Sequence, residues 1–218
     1  MPPQFSLSGK RQLDILGVFL LAFLGCIAWP LIHPLTYSSM LPLLLMGYAW
    51  CRIAFELTLN RANVPTIATG FIGRRKVAAL LCREAKEKQD YTIIDLGSGR
   101  GELTRFIAKS ISHANVIGIE IARFPHLQSK LIQRYLGPAN LSYECLDFWA
   151  FDCSKIDAVV FYLSASFAPC IGEKLYRELK PGSMVISHTF PLRGAWVPSE
   201  IIHYRTPFKE LIYVYRKE

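Results

Sequence analysis

The chain has 218 residues, a formal net charge of +8 and a 51% hydrophobic composition. That is too apolar for a plain soluble domain, and the excess is local: from Ile15 to Cys51 there is no Asp, Glu, Lys or Arg. The basic balance favours anionic surroundings such as acidic lipid headgroups or an acidic protein patch, and the scattering of the lysines and arginines argues against nucleic acid as the leading partner.

Ile15 to Ile32 is 18 residues without a charge. As a helix it would extend about 27 Å, close to the ~30 Å of a bilayer's hydrocarbon core. A polar, turn-prone interruption around His33-Pro34 comes next, and then a second apolar run from Leu35 to Cys51. Lys10 and Arg11 precede the first run, Arg52 and Arg61 follow the second, and the turn between them holds neither Lys nor Arg. The positive-inside bias therefore predicts a two-helix membrane hairpin with both ends in the cytoplasm. A signal peptide fits less well, because no A-x-A cleavage site is present and the apolar character continues past it. Phe23-Leu24-Gly25-Cys26 is a poor lipoprotein box. A helical pair lying in the interface stays open, since Pro30, Pro34 and Pro42 interrupt the runs.

Residues 57–66 form a polar joint that ends in Val64-Pro65-Thr66. The expected division is 1–61 for hairpin and joint and 62–218 for a globular domain. Four of the 25 Lys/Arg and two of the 17 Asp/Glu precede Ala62, so the second part carries 21 and 15, a net +6. Its length is enough for a real core. The six cysteines show no CxxC and no metal-ligand spacing with the five histidines, which favours reduced cytosolic thiols and no metal site.

Within this part, helical periodicity spans 71–88. Tyr91 to Leu96 reads as a buried strand that ends in glycines, and Glu102 to Ser110 as a helix. Further strands are predicted at 115–120, 141–145, 158–162 and 183–188, with helices at 124–135 and 167–179 between them. Two short strands at 201–204 and 211–216 close the chain. Strands alternating with helices argue an α/β, doubly wound, mostly parallel sheet, with its site at the strand C-termini.

Asp95-Leu96-Gly97-Ser98-Gly99-Arg100-Gly101 sits where a strand turns into a helix. Glycines there permit positive φ and close approach of a ligand, and a helix N-terminus can hold a carboxylate. The spacing is GxGxG, not the GxGxxG of NAD and FAD folds. Glu120 ends the next strand 19 residues after Gly101, placed to accept from a ribose diol. Asp147 follows the third strand, where it can accept from an adenine amino group. Read singly, Asp95 caps a helix, Glu120 makes a surface ion pair and Asp147 begins a turn. Three acids at successive strand ends beside one glycine turn favour a shared ligand.

The run TIIDLGSGRGE resembles the first motif of class I methyltransferases that use S-adenosylmethionine (SAM), and Glu120 and Asp147 match their next two ligand positions. The resemblance implies a Rossmann-like sheet with an antiparallel last strand. It also implies a SAM site lined by Asp95, Leu96, Gly97, Ser98, Gly99 and Gly101, by Glu120 with its neighbour Ile121, and by Asp147 with its neighbour Phe148. Over residues 60–217 the chain is similar to the small membrane-anchored lysine methyltransferases of mitochondria that modify the adenine nucleotide translocase and ATP synthase subunit c, and to their bacterial relatives. Val64-Pro65-Thr66, Asp147-Phe148-Trp149 and Ser187-His188-Thr189-Phe190-Pro191 carry that similarity. Where those enzymes read Gly-Val-Pro after the fourth strand, this chain has Tyr162-Leu163-Ser164.

The similarity implies methylation of a lysine in a membrane or membrane-adjacent protein at a bacterial inner membrane, with the domain on the cytoplasmic side. Methylation of a membrane small molecule, quinone or lipid, and a non-catalytic SAM-binding module remain alternatives. For a lysine acceptor, aromatic residues at the strand tips (Phe148, Trp149, Tyr162, Phe190) are candidate pocket walls. Tyr162 is placed to accept a hydrogen bond from the amine, and His188 is the candidate base.

Overall fold

The computed structural model describes residues 47–48, 69–165, 167–204 and 210–218. The predicted hairpin and joint lie outside the described residues, apart from Gly47 and Tyr48, which are helical. Among the described residues no helix is long and apolar enough to cross a membrane. The chain divides between Pro65 and Thr66 into two compact units, and the second holds the sheet.

That unit contains α1 (Phe71–Ala85), β1 (Thr92–Leu96), α2 (Glu102–Ser110), β2 (Asn115–Ile119), α3 (Arg123–Leu136), β3 (Leu141–Glu144), β4 (Ala158–Phe161), α4 (Ala168–Glu178), β5 (Met184–His188), β6 (Pro198–His203) and β7 (Leu211–Arg216). A single 3-10 turn, Phe148–Ala150, follows β3. The seven strands form one sheet in the order β3-β2-β1-β4-β5-β7-β6. The first five are parallel, and β7 lies antiparallel between β5 and β6. The expected doubly wound sheet with an antiparallel last strand is therefore present.

The apolar runs form strands because each has two buried faces to fill. Along β1, β4 and β5 successive residues divide between two cores. Ile93, Val160 and Ile186 face the core shared with Val77 and Leu81 of α1 and Leu103 and Ile107 of α2. Ile94, Val159 and Val185 face the core shared with Ile171 and Leu175 of α4 and with Trp196 and Tyr215. Each fully buried aliphatic side chain stabilises the fold by roughly 1.5–3 kcal/mol. At the edge, β6 alternates half-buried and exposed residues and begins at Pro198, with an irregular register between Pro198 and Glu200. An edge strand tolerates the proline because one side of its ladder is unpaired.

The crossover after β1 leads to β2 on one side and the crossover after β4 leads to β5 on the other, so the sheet's switch point lies at the C-terminal ends of β1 and β4. The residues just past those strand ends form the site.

Candidate functional site

Gly97, Gly99 and Gly101 all have positive φ, at 77°, 55° and 71°. The turn they make is stitched to the end of β2: the N–H groups of Gly97 and Ser98 both donate to the Ile119 carbonyl at 2.9 Å. Gly101 N–H closes the turn on the Ser98 carbonyl at 2.8 Å, and its own carbonyl accepts the Arg105 N–H as α2 begins. A Cβ on Gly97 would stand 2.9 Å from Cδ2 of Leu163, and one on Gly101 would stand 2.1 Å from Oη of Tyr143. Both positions therefore need glycine for space as well as for backbone conformation.

Asp95 is buried below the turn and accepts the Thr104 hydroxyl at 2.6 Å, tying β1 to α2. Burial pushes its carboxyl up to about 7, against the hydrogen bond from Thr104 and helped by the nearby Glu120 charge. Its expected capping action is thus exerted inside the fold, on the third residue of α2.

Glu120 is also buried. One carboxylate oxygen accepts the Gly99 N–H at 2.8 Å and the other the Ala122 N–H at 2.8 Å. Burial raises its pKa, against backbone hydrogen bonds from Ala122, Gly99 and Ile121. Each oxygen keeps acceptor capacity beyond these contacts. Ile121, the next residue, is half-buried. The surface ion pair considered for Glu120 is not what the side chain makes.

Asp147 is half-buried and accepts the Trp149 N–H at 3.1 Å, starting the short turn that holds Phe148. Phe148 packs with Trp149 at 4.8 Å between ring centroids and with Phe167 at 6.2 Å, against the core shared with α4. That packing gives Phe148 and Trp149 a structural place beside Asp147.

Sequence reasoning missed Tyr143. Its ring lies over Gly118, where a Cβ would stand 2.6 Å from two ring carbons, and its hydroxyl donates to the Gly101 carbonyl at 3.0 Å. Gly118 inside an otherwise apolar strand was the available signal, since a strand glycine marks a close approach.

A second group of side chains gathers at the ends of β4, β5, β6 and β7. The Tyr162 ring meets the His188 ring edge-on at 4.3 Å, and its hydroxyl lies 3.4 Å from Glu210 Oε1. The Tyr204 hydroxyl donates to Glu210 Oε2 at 3.0 Å and also meets His188 Nε2. His188 is fully buried, its Nδ1 has no partner among the described residues, and burial lowers its pKa, so the neutral imidazole is the form near pH 7. Thr189, the next residue, has φ +74° and a buried hydroxyl without a partner among the described residues. A Cβ on Gly73 of α1 would stand 2.8 Å from the Tyr204 hydroxyl. Of this group, sequence reasoning named Tyr162 and His188; Tyr204, inside the predicted strand 201–204, and Glu210, just before β7, carried no motif.

A ligand with hydroxyl and amino donors fits the first group. The turn leaves no room for side chains at Gly97 and Gly101, the buried Ser98 Oγ has no partner among the described residues, and two carboxylates stand at adjacent strand ends. A sheet of this order with such a turn after its first strand defines a nucleotide-cofactor enzyme of the Rossmann-like class. The family described as the ANTKMT methyltransferase domain matches residues 95–200. A protein-lysine N-methyltransferase of Saccharolobus islandicus (strain REY15A) is 32% identical over 142 residues, 64% of this chain and 84% of that protein. Among solved structures, an RNA methyltransferase from Salinibacter ruber in complex with S-adenosyl-L-homocysteine has a TM-score of 0.56 and 25% identity, covering 71% of this chain and 95% of that one. Magnesium protoporphyrin IX methyltransferase from Synechocystis PCC 6803 with bound SAM has a TM-score of 0.55 and covers 78% of this chain and 96% of that one. At 15% identity that second likeness is one of fold. The chain belongs to the class I SAM-dependent methyltransferases.

Proposed function

We propose that this methyltransferase modifies a lysine side chain of a membrane or membrane-adjacent protein. The observation that carries the lysine is the 32% identity to a protein-lysine N-methyltransferase over 84% of that protein's length. The charge-free stretch from Ile15 to Cys51, flanked by Lys10, Arg11, Arg52 and Arg61, supports the membrane half of the reading: a hairpin anchor with the domain on the cytoplasmic side of a bacterial inner membrane.

The turn at 97–101 would hold the methionine part of SAM, with the N-terminus of α2 facing its carboxylate. Glu120 would accept from the ribose diol while bracing Gly99 and Ala122. Asp147 would read the adenine amino group, with Ile121 and Phe148 lining the ring. SAM supplies a methyl group on a sulfonium, which transfers to an unprotonated amine as the N–C bond forms and the C–S electron pair returns to sulfur. The protein's task is then alignment of the amine and help in losing its proton, which costs about 4–5 kcal/mol for a free lysine at neutral pH. Tyr162 stands beside Leu163, whose side chain fills the space over Gly97, so the second group of side chains borders the cofactor turn. The burial of His188 and its contact with Tyr204 favour a positioning role for it over that of a general base.

The test is incubation of the detergent-solubilised full-length protein with radiolabelled SAM and membranes of its own source, followed by separation of protein from lipid. Label is expected in protein, and in methylated lysine after hydrolysis. Label in the lipid or quinone fraction would instead support a membrane small molecule as acceptor, and no incorporation alongside SAM binding a non-catalytic module.

A further inference from the structure

We infer that α3 is a docking face for an anionic lipid surface, one that brings the methyltransferase domain itself onto the bilayer. This face is separate from the charge-free stretch between Ile15 and Cys51 and does not depend on the proposed hairpin.

α3 follows β2 and packs at the margin of the sheet, where Gln133 fastens it to β3 by donating to the Leu141 carbonyl. A surface helix ordinarily turns its large apolar side chains toward the core. α4 does so, burying Ala168, Ile171 and Leu175. In α3 the buried residues are Pro125 and Ser129. All three of its leucines face outward: Leu127, Leu131 and Leu136 are 61%, 55% and 72% exposed, and Tyr135 is 72% exposed.

A single exposed leucine is ordinary on a protein surface. Here the exposure has a pattern. Seven residues of α3 are exposed, and each is either basic (Arg123, Lys130, Arg134) or one of those four apolar side chains. Leu127, Leu131 and Tyr135 follow at steps of four and so share one face of the helix. Arg123, Lys130 and Arg134, at steps of seven and four, line the strip beside it. The helix contains no Asp or Glu.

An apolar strip bordered by cations is the form of a helix that lies in the plane of a membrane interface. The leucines enter the acyl boundary, Tyr135 sits at headgroup level, and the guanidinium and ammonium groups meet lipid phosphates. Other occupants fit less. A second copy docked face to face would set these cations against their own equivalents. The chain's own apolar stretch from Ile15 to Cys51 has no carboxylate to offer them. Nucleic acid would meet the cations and leave the leucines in water. The position also suits the chemistry. α3 begins where β2 ends, with the Ala122 N–H held by Glu120 at 2.8 Å. A helix lying flat on the bilayer therefore keeps the strand ends, and the glycine turn among them, beside the lipid.

The test uses the full-length protein with the photo-crosslinker p-benzoylphenylalanine in place of Leu131. A control carries it in place of Val197, which is 78% exposed just before β6, at the opposite margin of the sheet. Each is reconstituted with vesicles of phosphatidylcholine, with or without phosphatidylglycerol, and illuminated, and lipid adducts are counted by mass spectrometry. Adducts at 131 should be several-fold more abundant with phosphatidylglycerol and should far exceed those at 197. Arg123→Gln/Lys130→Gln/Arg134→Gln, which changes exposed side chains alone, should melt like the parent and lose most of that gain. Salt at about 1 M should also remove it, since screening then acts within ~3 Å. Equal yields at 131 and 197, or a yield indifferent to phosphatidylglycerol, overturns the proposal. So do adducts at 131 to residues 1–61 or to a second copy in place of lipid. A protein that alkaline carbonate strips from the vesicles, yet that crosslinks to lipid at 131, loses the hairpin and keeps this face.

Discussion

The Glu120 carboxylate grips the Gly99 N–H at 2.8 Å, so the acid at the end of β2 is part of the glycine turn's own framework. Its second oxygen holds the Ala122 N–H, where α3 begins. On the proposed reading, ribose binding and loop bracing are two duties of one side chain, and they are lost together. Glu120→Ala should lower both SAM affinity and melting temperature. Each buried N–H left unpaired costs ~1–3 kcal/mol, and each kcal/mol shifts the midpoint of a domain this size by about 2–4 °C. Calorimetry with SAM and a thermal melt on the same variant check this. A variant that binds SAM tenfold more weakly but melts like the parent would separate the two duties.

Asp95 makes stability pH-dependent in an unusual direction. Its folded carboxyl titrates at about 7 against an ordinary 3.8. Between those values the unfolded chain has released this proton while the folded chain retains it, so stability falls as pH rises. Below the lower value both states hold the proton and the contribution is whole; above the upper value it is gone. The span corresponds to roughly 4 kcal/mol. His188, whose pKa burial lowers, acts in the opposite sense below its ordinary value of 6.5. Asp95→Asn removes the Asp95 part alone. Denaturant unfolding from pH 4 to 8 should show stability declining more steeply with pH in the parent than in the variant.

Gly101→Ala should be strongly destabilising. The left-handed backbone costs an alanine about 1–2 kcal/mol, and the new Cβ would stand 2.1 Å from the Tyr143 hydroxyl. Replacing Tyr143 by Leu in the same chain should recover the contact part of that loss and leave the backbone part. Equilibrium unfolding of the single and double variants measures the division.

Asp147→Ala should affect binding more than folding. The side chain accepts one N–H, from Trp149 in a half-buried turn, so its removal costs about 1 kcal/mol of stability. A lost hydrogen bond to a buried adenine amino group should weaken SAM about tenfold or more. Unchanged SAM affinity would assign Asp147 to the turn alone.

The glycine turn and the acids near it were legible because these parts are local. A GxGxG turn at a strand end needs its glycines for backbone reasons, and Glu120 and Asp147 follow the strand ends that the apolar runs announce. What each acid holds in the protein was less legible. The bond from Thr104 to Asp95 and that from Gly99 to Glu120 join residues of different elements, and spacing does not report them. Tyr143 was hidden because its role depends on the register of β3 with β2, which sets it opposite Gly118. Tyr204 and Glu210 were hidden for a further reason. They meet only when β7 inserts between β5 and β6, a pairing order that the alternation of the final strands leaves open.

The same insertion bears on how such an enzyme can change over generations. β6 and β7 occupy one margin of the sheet, whereas the turn at 97–101 and the tips of β2 and β3 occupy the other side of the switch point. Tyr204 and Glu210 arrive on one contiguous stretch, from Pro198 to Arg216, that is fastened to the rest of the sheet through the β5 ladder. Backbone pairing of that kind tolerates exchange of the side chains at strand ends. A lineage can therefore exchange the side chains of this short stretch and leave the turn at 97–101 unaltered. Transplanting the stretch between relatives is the laboratory equivalent, and it should leave SAM affinity unchanged.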